Sequence, residues 1–285
     1  MTPIRWGIIG CGDVTEVKSG PAFARADGSA LVAVMRRTAH LAEDYARRHG
    51  VPRWYHDAEA LVADPDVDAV YVATPPAAHR DGVLLAARQR KPVYVEKPMA
   101  LDHRQCLEMI EACRTAGVPL FTAYYRRALP RFLRVKALVD EGAIGVARAV
   151  TITLYRRHAM DPDALPWRVD PAVAGGGLFV DLASHTLDLL DFILGPIATA
   201  TGGAGNQGGF YGAEDIVSAA LAFESGVRGT GLWCFAADAN DDRVEIIGSA
   251  GRITFSTFDE APVTLARDGG VETCLLYTSP SPRDS

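Results

Sequence analysis

The stretch Gly7–Glu16, GIIGCGDVTE, decides the fold. An apolar run from Ile4 to Ile9 enters a turn with glycines at positions 10 and 12, and a helical run follows. This is how a nucleotide-binding α/β unit begins. Gly10 permits the tight turn, and Gly12 leaves room for a pyrophosphate beside Asp13 and Val14 at the start of the helix. The third small residue of the fingerprint would fall three places after Gly12 and is Thr15 here, so the motif is incomplete; alone it also fits a simple glycine turn. Pro21, in SGPAF, predicts that the helix breaks and restarts.

Outward from this turn, short apolar runs alternate with amphipathic ones of helical length. Strands are expected at Ile4–Ile9, Leu31–Met35, Arg53–Tyr55, Ala69–Ala73, Val93–Glu96 and Leu120–Ala123. Between them Asp57 caps one helix, His79–Arg90 forms another, and a long one runs from Asp102 to Ala116 and stops at Gly117. The pattern predicts an α/β protein whose residues 1–122 form a doubly wound Rossmann domain that binds a dinucleotide.

The end of the second strand bears on the choice of cofactor. An NAD site usually places Asp or Glu there for the ribose diol, whereas an NADP site supplies Arg to the 2′-phosphate. Here the sequence reads VAVMRRT, with Arg36, Arg37 and Thr38, and no acid before Glu43. Two solvated arginines are common after a strand, but the missing acid points the same way. NADP is favoured over NAD.

The 285 residues, 48% hydrophobic and 22% charged, have the length and composition of two globular domains. A net charge of -6 without a basic run disfavours a nucleic-acid partner. No segment reads as a membrane span or a secretory signal, so no membrane partner and a cytoplasmic setting are expected. Cysteines 11, 106, 113, 234 and 274 form no CxxC pair and no zinc-spaced cluster. They read as reduced thiols, mostly buried, and no metal site is expected.

Two motifs end strands where the cofactor would lie: DAVYVATPPAAH, Asp68–His79, and KPVYVEKPMAL, Lys91–Leu101. On them the chain resembles the Gfo/Idh/MocA oxidoreductases. The resemblance extends over about residues 3–270. It implies that Lys97 of Glu96-Lys97-Pro98 stands beside nicotinamide and substrate, before a cis proline. It also implies that Thr74, Pro75 and His79 line the cofactor site, with His79 as a wall and not a catalyst. Pro76 stands where the family often has asparagine. A lysine at a strand end can hydrogen-bond a substrate hydroxyl and stabilise charge developing on its oxygen.

In the second half, Tyr124–Gly145 resembles the family's crossing helix and Trp167–Asp188, WRVDPAVAGGGLFVDLASHTLD, its substrate motif. In that motif an Asp and a His four residues later, here Asp181 and His185, face the cofactor. At about 100° per residue, Asp181, His185 and Asp188 fall within an arc of roughly 60°. Taken alone, this helix fits an ordinary solvated face. With the other motifs, Asp181 and His185 read as a proton-transfer array, and Asp188 as support. Tyr124, Arg126, Arg127, Trp167 and Arg168 are candidate pocket walls, with Trp167 suited to a sugar face.

After Pro196, strands are expected at Asp215–Phe223, Gly226–Phe235, Arg243–Ile247 and Arg252–Phe255. Residues 123–273 therefore read as an α+β domain with a large, mostly antiparallel open sheet, for substrate binding and oligomerisation. The resemblance implies a homodimer or homotetramer, NAD(P)-linked chemistry on a sugar, inositol-like polyol or dihydrodiol, and catalysis by Lys97, Asp181 and His185. Two alternatives within the family are an NAD-retaining redox glycosidase, which Arg36 and Arg37 disfavour, and a non-catalytic nucleotide sensor, in which the Lys/Asp/His set would be lost. The last stretch, CLLYTSPSPRDS, resembles a translated sequencing-library adapter from Cys274 to Asp284. Residues 274–285 are thus expected to be non-native, with the native chain continuing beyond Thr273 into a C-terminal segment that is missing here.

Overall fold

A computed structural model describes residues 2–17 and 19–274; the tail from 275 onward lies outside the described residues. The chain divides into two compact units between Ala123 and Tyr124.

In chain order the first unit contains β1 (Ile4–Ile9), α1 (Asp13–Val17), α2 (Ser19–Arg25), β2 (Ser29–Met35), α3 (Ala39–His49), β3 (Arg53–Tyr55) and α4 (Ala58–Ala63). It continues with β4 (Ala69–Val72), α5 (His79–Arg88), β5 (Val93–Val95), α6 (His103–Ala116) and β6 (Leu120–Thr122). The strands form one parallel sheet in the order β3-β2-β1-β4-β5-β6. The order reverses between β1 and β4, and such a switch point opens a crevice beyond the carboxyl ends of the strands. Asp57 caps as expected, accepting from Ala60 N at 2.9 Å, and Gly117 ends α6 at φ 71°; Asp102, read as the first helical residue, is instead the cap of α6 and accepts from Gln105 N at 2.8 Å. The helix also restarts before Pro21, which takes an early position in α2. Strands β4, β5 and β6 each stop one residue short of the sequence reading, so Ala73, Glu96 and Ala123 belong to the turns.

The second unit opens with a 3-10 turn at Tyr125–Ala128 and then α7 (Pro130–Asp140). The expected helix over 124–145 is interrupted because Leu129 is extended and Pro130 starts a new helix, where its missing N–H costs nothing. There follow β7 (Ala147–Arg157), α8 (Pro171–Ala174), α9 (Leu178–Leu194), β8 (Ile197–Gly205), β9 (Ile216–Phe223), β10 (Arg228–Ala237), β11 (Asp241–Gly248), β12 (Arg252–Phe255), β13 (Val263–Arg267) and β14 (Gly270–Cys274). These strands make one sheet in the order β14-β13-β12-β11-β7-β10-β9-β8, antiparallel except between β7 and β10. One face packs on α7 and α9 through Trp233, Phe132, Phe255, Leu189 and Ile246. Truncating a buried leucine such as Leu189 to alanine would cost about 2–5 kcal/mol. No helix among the described residues is long and apolar enough to cross a membrane.

Candidate active site

In the first unit, the turn after β1 is tied to the end of β2, where Gly10 N and Cys11 N both donate to Met35 O, at 2.9 and 3.0 Å. Gly10 sits at φ 91°, and a Cβ there would lie 2.7 Å from Thr74 Cγ2 and 3.0 Å from Thr74 N. A side chain is excluded on both counts. A Cβ on Gly12 would meet nothing closer than Gly10 O at 3.9 Å, so the backbone there is open to a ligand. Thr74 Oγ1, beside this turn, is buried without a hydrogen-bond partner among the described residues. An open glycine and an orphaned hydroxyl at a sheet switch point fit a dinucleotide.

Thr15, in place of the third small residue, is absorbed by the fold: its hydroxyl donates to Gly12 O at 2.8 Å, and its carbonyl accepts from Tyr45 at 2.9 Å. Gly20 also packs tightly here: a Cβ on it would lie 2.2 Å from Thr15 O and 2.4 Å from the Tyr45 hydroxyl. Asp13 is exposed and Val14 half-buried. Arg36 is half-buried, Arg37 and Thr38 are exposed, and neither arginine forms an ion pair with any described residue. Burial pushes the Cys11 thiol up to about 11, opposed by the Arg36 charge.

At the neighbouring strand end the Lys97–Pro98 bond is cis. His79, expected as a cofactor-site wall, instead lies one layer behind it with no exposed surface. Its Nε2 is 2.6 Å from Thr74 O and its Nδ1 2.9 Å from Pro98 O, so it braces the turns after β4 and β5 against each other. Burial lowers its pKa, opposed by these carbonyl contacts. A ring with no accessible surface supports the wall without touching a ligand. Pro75 is exposed and Glu96 half-buried.

In the second unit, α9 carries the acid–imidazole set. Its start has no side-chain cap of its own; Glu214 Oε1 accepts from Gly177 N at 2.8 Å. The glycine run allows this, because a Cβ on Gly176 or Gly177 would fall 3.0 Å or less from atoms of Glu214. The arc of Asp181, His185 and Asp188 is not a solvated edge. His185 is 4% exposed, and the Asp181 and Asp188 side chains are 15% and 9% exposed. Tyr124, Tyr125 and Phe258 meet His185 at 6.0, 5.8 and 6.1 Å between ring centroids, all near perpendicular.

Asp181 is 3.6 Å from Arg168, whose guanidinium lies 4.5 Å over the part-exposed Trp167 ring. Arg127 is turned to Asp188 at 2.6 Å. Sequence reasoning missed Tyr125, Phe258 and the supports of the Phe258 loop. Asp242 accepts from the amides of Thr257, Phe258 and Asp259 at 3.0, 2.5 and 3.0 Å, while Arg126 donates to Thr257 O at 2.6 Å. No local pattern in STFDE marks that loop, because its partners lie on distant strands and helices.

An open glycine turn at the switch point of a parallel, doubly wound sheet, followed by a separate α+β unit, fits a dinucleotide-binding oxidoreductase as the class of protein. Residues 4–124 match the family described as "Oxidoreductase family, NAD-binding Rossmann fold", and residues 132–254 match the "GFO/IDH/MocA C-terminal domain". The chain belongs to the Gfo/Idh/MocA oxidoreductase family. It is 39% identical over 272 residues to "Oxidoreductase P35" of Formosa agariphila, which covers 94% of this chain and 84% of that protein. To the "1,5-anhydro-D-fructose reductase" of Ensifer adhaerens it is 32% identical, covering 87% of this chain and 74% of the relative. Among solved structures, the aldose-aldose oxidoreductase from Caulobacter crescentus complexed with glycerol superposes with a TM-score of 0.85 at 28% identity, covering 98% of this chain and 85% of that one.

Proposed function

We propose that the protein transfers hydride between NADP and a carbon bearing a hydroxyl or carbonyl group in a sugar, an inositol-like polyol or a dihydrodiol. The observation that carries this reading is His185, buried within three aromatic rings and one helical turn from Asp181, where a solvated helix edge would have left both in water. Relatives named as a 1,5-anhydro-D-fructose reductase, a myo-inositol 2-dehydrogenase and a trans-1,2-dihydrobenzene-1,2-diol dehydrogenase support the substrate class.

When bound, the nicotinamide supplies the hydride chemistry. In oxidation the substrate C–H bond breaks with its electron pair leaving as hydride, the hydroxyl proton passes to the His185 imidazole, and a carbonyl remains; reduction reverses each transfer. Lys97 hydrogen-bonds the same oxygen and stabilises its developing charge. Asp181 orients the imidazole or holds a second hydroxyl. Tyr124, Arg127, Trp167 and Arg168 form the substrate walls, with Trp167 offering its face to a sugar. Gly10, Gly12, Asp13, Val14, Thr74, Pro75 and Glu96 bind the cofactor, and Arg36, Arg37 and Thr38 take its 2′-phosphate. Residues 1–122 thus hold the cofactor and 123–273 the substrate. Self-association into a dimer or tetramer uses the open sheet face, where Ser218, Ala220, Thr230 and Leu232 are exposed.

The test follows reduced-nicotinamide absorbance over a panel of sugars, inositols and trans-diols with each cofactor. Turnover with net change of NADP is expected. Glycoside cleavage without net cofactor change would overturn the reading.

A further inference from the structure

Tyr71 lies on β4 with no exposed surface, in a strand whose other residues are Ala69, Val70 and Val72. Its ring packs against Phe23 and stacks on Tyr94, with centroids 5.0 and 5.4 Å away. Phenylalanine would satisfy that packing, and burying a hydroxyl is costly unless it is bonded. The hydroxyl donates to Glu96 Oε1, and Glu96 Oε2 accepts the backbone N–H of Lys97 at 3.1 Å. Because a carboxylate is planar, holding one oxygen fixes the direction in which the other meets the Lys97 amide. Burial and the Glu96 charge both raise the Tyr71 pKa, so the phenol stays a donor. His79 holds the far side of the same turn through Pro98 O.

We infer that Tyr71 is a positioning residue for Lys97: its hydroxyl fixes Glu96, and Glu96 sets the orientation in which Lys97 leaves β5. The inference rests on the proposed role of Lys97 in handling the substrate oxygen.

The test is Tyr71→Phe in the full chain, which keeps the ring. Amide hydrogen exchange at Lys97 is expected to speed up several-fold while Val93 and Val95 in β5 keep theirs, a readout independent of turnover. On the substrate that the panel selects, at saturating cofactor, kcat should fall roughly ten-fold, the loss expected for one hydrogen bond. In a Lys97→Met background, followed in single turnover, the same change should have less than about a twofold effect. Equal losses in both backgrounds, or unchanged exchange at Lys97, would overturn the inference. Near-normal turnover of Lys97→Met with faster exchange in Tyr71→Phe would overturn the lysine's chemical role instead, so the two failures are distinguishable. If Tyr71→Phe does not fold, Glu96→Gln, which keeps an acceptor for the Lys97 amide, should retain more turnover at saturating cofactor than Glu96→Leu. Equal turnover of that pair would overturn the inference.

Discussion

Arg127 and Asp188 form an ion pair, Nη2 to Oδ1 2.6 Å, with Nε also donating to both carboxylate oxygens at 2.9 and 2.8 Å. Asp188 is therefore committed to the turn that precedes α7, although it shares an arc with Asp181 and His185. Both pKa values are raised: that of Arg127 by its hydrogen bonds to Asp188, and that of Asp188 by burial, helped by the Asp191 charge, against the pull of Arg127. Arg127 is 40% exposed, so the pair contributes less than a fully buried one. Asp188→Ala is expected to cost about 1–2 kcal/mol in urea unfolding and to leave kcat within a few-fold. Collapse of turnover at unchanged stability would instead place Asp188 in the chemistry.

The roles proposed for His185 and Lys97 predict a different signature. His185→Ala and Lys97→Met should each lower turnover by a factor on the order of 10² or more while cofactor binding stays largely intact. Fluorescence titration of the reduced cofactor, run beside steady-state kinetics, separates the two effects. A variant with near-normal turnover removes its residue from the mechanism.

The proposed preference for NADP rests on Arg36, which is half-buried and has no ion-pair partner among the described residues. A charge-assisted bond from arginine to phosphate is worth roughly 1.5–3 kcal/mol, so Arg36→Ala should weaken NADP binding by about 10- to 100-fold. NAD, which lacks the 2′-phosphate, should change by less than about threefold. Tighter binding of NAD than NADP by the unaltered protein would reverse the assignment.

How much was legible in the sequence depended on what each residue faces. β3 was readable at its true limits, and β12 likewise, because turn residues bound each of them. β8 was not: IATATGGAG is exposed from Ala198 to Ala204, so no apolar alternation marks it. In β7 the signal was present, since Val150, Ile152 and Leu154 alternate inward, but it followed a segment read as helix. The spacing of Asp181 and His185 placed them on one helix face and could not say whether that face met water or protein. That answer came from Tyr124, Tyr125 and Phe258, and the loop of Phe258 is held by Asp242 and Arg126, both distant from it in sequence. The Tyr71–Glu96 contact was hidden for the same reason, because a fully buried strand reads alike whichever side chain carries a hydroxyl.

The first helix after the glycine turn is held by charge, and its stability should follow pH accordingly. Glu16 on α1 accepts from Arg48 Nη1 and Nη2 at 2.9 and 2.6 Å and lies 2.7 Å from His49 Nε2, both on α3. The hydrogen bonds from Arg48 are the largest cause holding its carboxyl down to about 2, from an ordinary value of 4.5. A folded-state pKa below the unfolded one means that the contribution is complete above pH 4.5 and disappears as pH falls through about 2. With side chains 29% and 43% exposed, solvent screening limits the effect to about 1 kcal/mol. Glu16→Gln should therefore be less stable than the parent protein at neutral pH by about that amount, and the difference should close between pH 4.5 and 2. Urea midpoints across this window measure it directly: parallel profiles for the two proteins would remove Glu16 from the acid response, whereas convergence toward low pH would tie the helix after the cofactor turn to its pairing with α3.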